Sequence, residues 1–165
     1  MSRLWKKIIM ICTIVPVNLF ATEYDVFCGS KHVAKFKKPA LSLKSTCSIT
    51  MNDKEYSIYR EGVVSGDWIL EEKHAGRVAV ATKPSFLIDS FAIQYNNKAF
   101  QLKSKKLRLT NQFIIYENDQ QIGRIYNPSF FSRKLQCAID GDSPLEFMIF
   151  AMYLASIIID RRSSQ

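Results

Sequence analysis

The chain has 165 residues, a formal charge of +8 and 47% apolar residues, enough for one domain with a real core. Charged residues make up 23%, an ordinary share, so the composition excludes a wholly disordered chain. The positive balance favours acidic partners such as lipid headgroups or nucleic acid.

Residues 1–21 read as a signal peptide or membrane anchor. Arg3, Lys6 and Lys7 precede an apolar run from Ile8 to Phe20, and Ala21 offers a small residue before Thr22. The run is short for a membrane span, which needs about 20 residues. An ordinary buried N-terminal strand is the remaining alternative. The expected protein is therefore exported (periplasmic or secreted) or anchored by its N-terminus, with the cytoplasmic face of a membrane as the alternative. On this reading residues 22–162 form the folded domain, and 163–165 a disordered tail.

From residue 24 to 140 the chain reads as short strands. Tyr24–Phe27 and His32–Phe36, Trp68–Leu70 and Gly76–Val80, and Phe113–Tyr116 and Gln121–Ile125 each frame a polar turn, as in a β-hairpin. Pro39, Pro84 and Pro128 follow these hairpins at offsets near 44 residues. Each leads to a longer strand ending near Ile49, Ile93 or Ile139. In the first two units a fourth strand follows, Glu55–Arg60 and Lys98–Lys103. The frame I-x-x-N-[DN]-K-x-[YF]-x-[IL] starts at Ile49 and recurs at Ile93. A period of this length is the mark of a repeated supersecondary unit. Four, four and three strands predict about eleven. Three blades are too few to close a propeller.

In place of a fourth strand, the third unit turns helical. Ser143, Pro144 and Glu146 have the spacing of a capping box with proline at the first helical position. The following Phe147–Ile159 is apolar on every side, so it must be covered all round. The expectation is a helix over 145–160 inside a closed sheet, with a tail anchor as the alternative. A barrel of about eleven strands has an interior too wide for its own side chains to fill.

Once Cys12 goes with the apolar leader, Cys28, Cys47 and Cys137 remain. They lack C-x-x-C spacing, which argues against a zinc site. They read as small buried hydrophobes, with one disulfide as the alternative. His32 and His74 read as solvated, and Asp140 and Asp142 as turn and cap residues. No nucleophile with a base, phosphate loop or cofactor fingerprint occurs, so neither an enzyme nor a cofactor is expected.

Lys83-Pro84-Ser85-Phe86, Ile122-Gly123-Arg124-Ile125, Phe130-Phe131-Ser132, the strand Leu135–Ile139, the polar Asp140–Asp142 and the terminal helix with Asp160-Arg161 carry a resemblance. The chain resembles the tubby C-terminal-like superfamily over residues 24–162, especially its LURP-one-related and phospholipid scramblase-like branches. The resemblance implies a β-barrel of about twelve strands around a hydrophobic C-terminal helix. It also implies a non-enzymatic role in membrane or phosphoinositide association.

The candidate lipid-binding residues are Lys35, Lys37 and Lys38, and the denser run Lys103, Lys105, Lys106 and Arg108. The expected partner is anionic membrane lipid. A lipid-moving role in the scramblase sense is one alternative, and an exported protein-interaction domain without lipid affinity another. Nucleic acid has no aromatic platform to support it.

Overall fold

A computed structural model describes residues 9–18, 22–38, 46–62, 66–84, 88–106, 110–129 and 132–163, with only the backbone of Lys106. Twelve strands alternate in direction around a closed barrel: β1 (Ile9–Pro16), β2 (Glu23–Cys28), β3 (Lys31–Lys37), β4 (Cys47–Met51), β5 (Lys54–Arg60), β6 (Trp68–Glu72), β7 (Gly76–Thr82), β8 (Ser90–Tyr95), β9 (Lys98–Lys106), β10 (Asn111–Glu117), β11 (Gln120–Tyr126) and β12 (Leu135–Asp140). One helix, α1 (Leu145–Ser163), ends the chain. Every strand pairs antiparallel with its sequence neighbours, and β1 closes the ring by pairing with both β2 and β12.

Turn chemistry accounts for the recurrent asparagines. Asn52-Asp53, Asn96-Asn97 and Asn118-Asp119 all adopt positive φ, between 43° and 63°. Two successive left-handed residues make the type I′ turn, whose twist matches that of antiparallel strands. Asn and Asp accept this conformation far more readily than branched residues do. The first hairpin of each unit also carries a bulge at the equivalent place, after Val26, Leu70 and Ile115. The three units thus share this bulge, while the asparagine turns close the second hairpin of the first two units and the first hairpin of the third.

The N-terminal segment holds the main correction. Ile9–Pro16 is strand β1, so the barrel begins 13 residues before the predicted domain boundary at 22. The apolar run conceals a strand alternation: Ile9 and Ile11 are exposed, while Cys12 and Ile14 are buried. In the ring, β1 occupies the place beside β12 that a fourth strand of the third unit would fill. Eleven strands read from the repeat become twelve because that place is filled from the other end of the chain. The strands ending at Met51, Tyr95 and Asp140 are also short, not the longer ones expected.

Alternate residues of the strands form one apolar cluster with α1. Phe147 to Ala155 are all buried, which no single helix face could achieve. Phe147 meets the rings of Tyr95 on β8 and Phe100 on β9, and Tyr153 meets Trp68 on β6. No described helix is long and apolar enough to cross a membrane. The helix runs on through Ser163, so the expected tail shrinks to 164–165, outside the described residues. Glu146 accepts a hydrogen bond from the Tyr95 hydroxyl at 2.6 Å, which ties the start of α1 to β8.

Candidate functional site

Alternating strand directions give the barrel two unlike ends. At one end the strands are joined by tight turns, at 29–30, 52–53, 73–75, 96–97 and 118–119. At the other end the connections are longer, from the four residues after Lys106 to the nine after Lys37. The C-terminus of α1 reaches this second end, as its contacts with Lys38 and Asp89 show.

Charge divides along the same axis. The turn end carries Asp53, Glu55, Glu72, Glu117, Asp119, Asp140 and Asp142 against Lys31, Lys54, Lys73 and Lys98, the last three held to Glu72, Glu55 and Glu117. The loop end carries Lys37, Lys38, Arg60, Lys83, Lys105, Arg133, Lys134, Arg161 and Arg162 against Glu23, Glu61, Asp67, Asp89 and Asp160. Of the exposed large hydrophobic residues, Val17 (52%) and Ile88 (54%) lie at this basic end.

The two predicted lysine clusters reach the same rim but not one patch. Five strands separate β3 from β9 by either route around the ring. Lys35 and Lys37 are exposed on β3, where Lys37 pairs with Glu23 at 3.2 Å and Lys38 pairs with Asp160 of α1. On β9, Lys103 lies over the Tyr116 ring at 5.3 Å and Lys105 is exposed beside Gln112 of β10. The side chain of Lys106 and all of Arg108 fall outside the described residues.

Sequence reasoning missed the charged knot between these clusters. Arg162 donates to Asp89 at 2.6 and 3.0 Å, to Ser104 at 2.6 Å and to Asn111 at 3.1 Å, while its guanidinium stands over Phe113. Arg161 pairs with the other Asp89 oxygen. Burial opposes ionisation of Asp89, but the Arg162 hydrogen bond and the charges of Arg162, Arg161 and Lys83 outweigh it, so its carboxyl is held below the usual range. Lys83 is shifted down, first by burial and then by the charge of Arg161. The terminal arginines were legible only as partners of the helix dipole. Their acid, 72 residues away in sequence, has no local signal.

The remaining candidates are structural. His32 is exposed and hydrogen-bonded to Asp25 at 2.9 Å, and His74 is exposed. Asp140 contributes its backbone carbonyl to the turn before α1, accepting from the Ser143 amide at 3.1 Å. No group of three His, Cys, Asp or Glu among the described residues is arranged to hold a metal. Cys12 is not set aside with a leader: it forms a disulfide with Cys28, while Cys47 and Cys137 are buried free thiols.

No family model matches the chain, and no curated protein matches it significantly. Among solved structures, a protein from Arabidopsis thaliana known by X-ray analysis is similar, with a TM-score of 0.59. The match covers 94% of this chain and 93% of that one at 10% identity, so the likeness concerns the fold alone.

Proposed function

We propose that the chain is a non-enzymatic binding module that places its basic, loop-bearing end against an anionic lipid surface. The observation that carries this reading is the segregation of charge: cations and the exposed Val17 and Ile88 gather at the loop end, while carboxylates crowd the turn end. Near an anionic bilayer each cation contributes about 1 kcal/mol, so four facing cations supply roughly 4 kcal/mol before screening. Such attraction fades over about 8–10 Å at physiological salt, which demands that the end dock face-on and close. The resemblance to tubby C-terminal-like domains supports the same reading. It also supports the inference that α1 threads the barrel interior, as does the shared core, in which ten of the thirteen residues Phe147–Ile159 are buried.

Membrane association fits an exported chain that keeps its N-terminal strand. A disulfide at Cys12 suits an oxidising compartment, and its position within β1 favours retention of that segment.

The test is sedimentation with vesicles of phosphatidylserine and phosphatidylcholine, against phosphatidylcholine alone. Lys37→Glu and Lys105→Glu sit on opposite sides of the rim. Face-on docking predicts that each lowers binding to the anionic vesicles several-fold, with Lys98→Glu at the turn end neutral. If only one rim variant matters, docking is through a side wall. If neither matters, or if the wild type ignores anionic vesicles, lipid recognition is wrong, and a protein-interaction role takes its place. Dye-labelled lipid that flips in reconstituted vesicles would instead support lipid movement.

A further inference from the structure

Three cysteines lie in one row across the strands that close the barrel. On one side of Cys12 its Cα partner is Cys28 of β2, and on the other it is Cys137 of β12. Directly opposed residues project from the same face of a sheet, so all three sulfurs belong to the inner face. Cys12 and Cys137 are fully buried in the common core, and Cys28 is half-buried beside the Gly29-Ser30 turn.

Ladder geometry sets the two spacings. Cys12 and Cys28 have Cα atoms 4.2 Å apart, the close spacing of a non-hydrogen-bonded pair. A residue in a central strand bonds to one neighbour or the other, so Cys12 directs its backbone bonds to β12 and forms the wider pair with Cys137. That pair has a typical Cα separation of about 5.5 Å, which also lies within the range a disulfide bridges. The Cα spacing therefore lets Cys12 be linked to either neighbour.

We propose that Cys12, Cys28 and Cys137 form a single thiol–disulfide exchange site, in which Cys137 displaces Cys28 from Cys12. The Cys137 thiol gives its proton to water or hydroxide. Its sulfur attacks Cys12 Sγ, forming the Cys137–Cys12 bond as the Cys12–Cys28 bond breaks. The electron pair leaves on Cys28, which takes a proton from water. One disulfide is exchanged for another and no external oxidant is consumed. The register sets the attacking and leaving cysteines on opposite sides of Cys12, as in-line displacement at its sulfur requires.

The environment makes the step slow and gives the exchange a direction of access. Burial alone pushes the Cys137 thiol up to about 12. Its ladder neighbours are Cys12 and Ile125, with no charged group opposite. At pH 8 roughly one molecule in ten thousand carries the attacking thiolate. The released thiol at Cys28 is the least buried of the three and stands at the turn end. It is the sulfur that a small electrophile or disulfide reaches.

The experiment incubates the full-length oxidised protein with a maleimide, without added thiol, and maps disulfides by mass spectrometry. The expected products are maleimide on Cys28 and a Cys12–Cys137 link. They should appear with first-order kinetics, independent of protein concentration, and about tenfold faster per pH unit below pH 12. Cys137→Ser should abolish labelling at Cys28, while Cys47→Ser should leave it unchanged. Cys28 labelled at the same rate in Cys137→Ser overturns the proposal. So does a rate proportional to protein concentration, or a labelled chain lacking the Cys12–Cys137 link. The link map and pH slope of the wild type decide the matter even if the Cys137 variant fails to fold.

Discussion

Gly123 shows how a single position is constrained by its neighbour across the ladder. It faces Ile139 on β12, and a Cβ there would stand 2.8 Å from Ile139 Cγ1 and 2.9 Å from the Ala138 carbonyl oxygen. Real Cβ atoms do not approach so closely, and the obstacle includes backbone that cannot rotate away. Gly123→Ala should therefore cost about 1–3 kcal/mol, the usual range for overpacking. A urea titration reads this as a lower midpoint with unchanged slope, and an unchanged midpoint would mean that β11 and β12 separate easily. The asparagines of the tight turns are constrained differently, by positive φ. At Asn52-Asp53 and Asn96-Asn97 that constraint was legible in the repeated N-[DN]-K frame, because the turn type selects the residue locally. The close approach at Gly123 was not legible, because Ile139 enters its surroundings only through strand pairing.

Among the elements, α1 is the one whose burial was readable in advance. An apolar sequence without a polar face has no stable position except one covered on all sides. Ala151 is wholly buried in the middle of the helix. Ala151→Arg places an unpaired charge there and should cost about 3–5 kcal/mol, a large share of the roughly 5–15 kcal/mol that stabilises a domain. Loss of near-ultraviolet circular dichroism would report it. A variant with the melting temperature of the wild type would show that position 151 is not enclosed by the core. What anchors the helix end was not readable: Asp89 on the β7–β8 connection gathers Arg161 and Arg162, and Lys38 on the far side of the rim takes Asp160. The candidate lysines were visible as runs in the chain. Their separation to opposite sides of one rim follows from ring closure, which no run of residues encodes.

At the scale of the whole molecule, closure depends on the first strand. Without β1, both β2 and β12 would present unpaired backbone edges, and Cys28 would lose its disulfide partner. A chain starting at Thr22 should accordingly fail to give a stable monomer in gel filtration, and should aggregate or pair edge to edge. A monomer that melts at the temperature of the full-length protein would show that the leader reading of residues 1–21 was sound and that eleven strands suffice. The alternation of Ile9 and Ile11 outward with Cys12 and Ile14 inward distinguishes a strand from a leader, yet the outward residues are themselves apolar. A run that is apolar on both faces hides its period, which is why the sequence favoured export over a strand.

The sequence by itself determined the repeated hairpins, their turns and the need to bury the terminal helix. These follow from side-chain period, turn conformation and hydrophobicity, which act over a few residues. Only the tertiary structure decided that the N-terminal segment is the twelfth strand, that Cys12 meets Cys28 with Cys137 on its other side, and that cations and carboxylates collect at opposite ends. Each of these depends on strand register and ring closure. Both arise from the collective burial of inward faces, and between β1 and β12 they join residues more than a hundred positions apart in the chain.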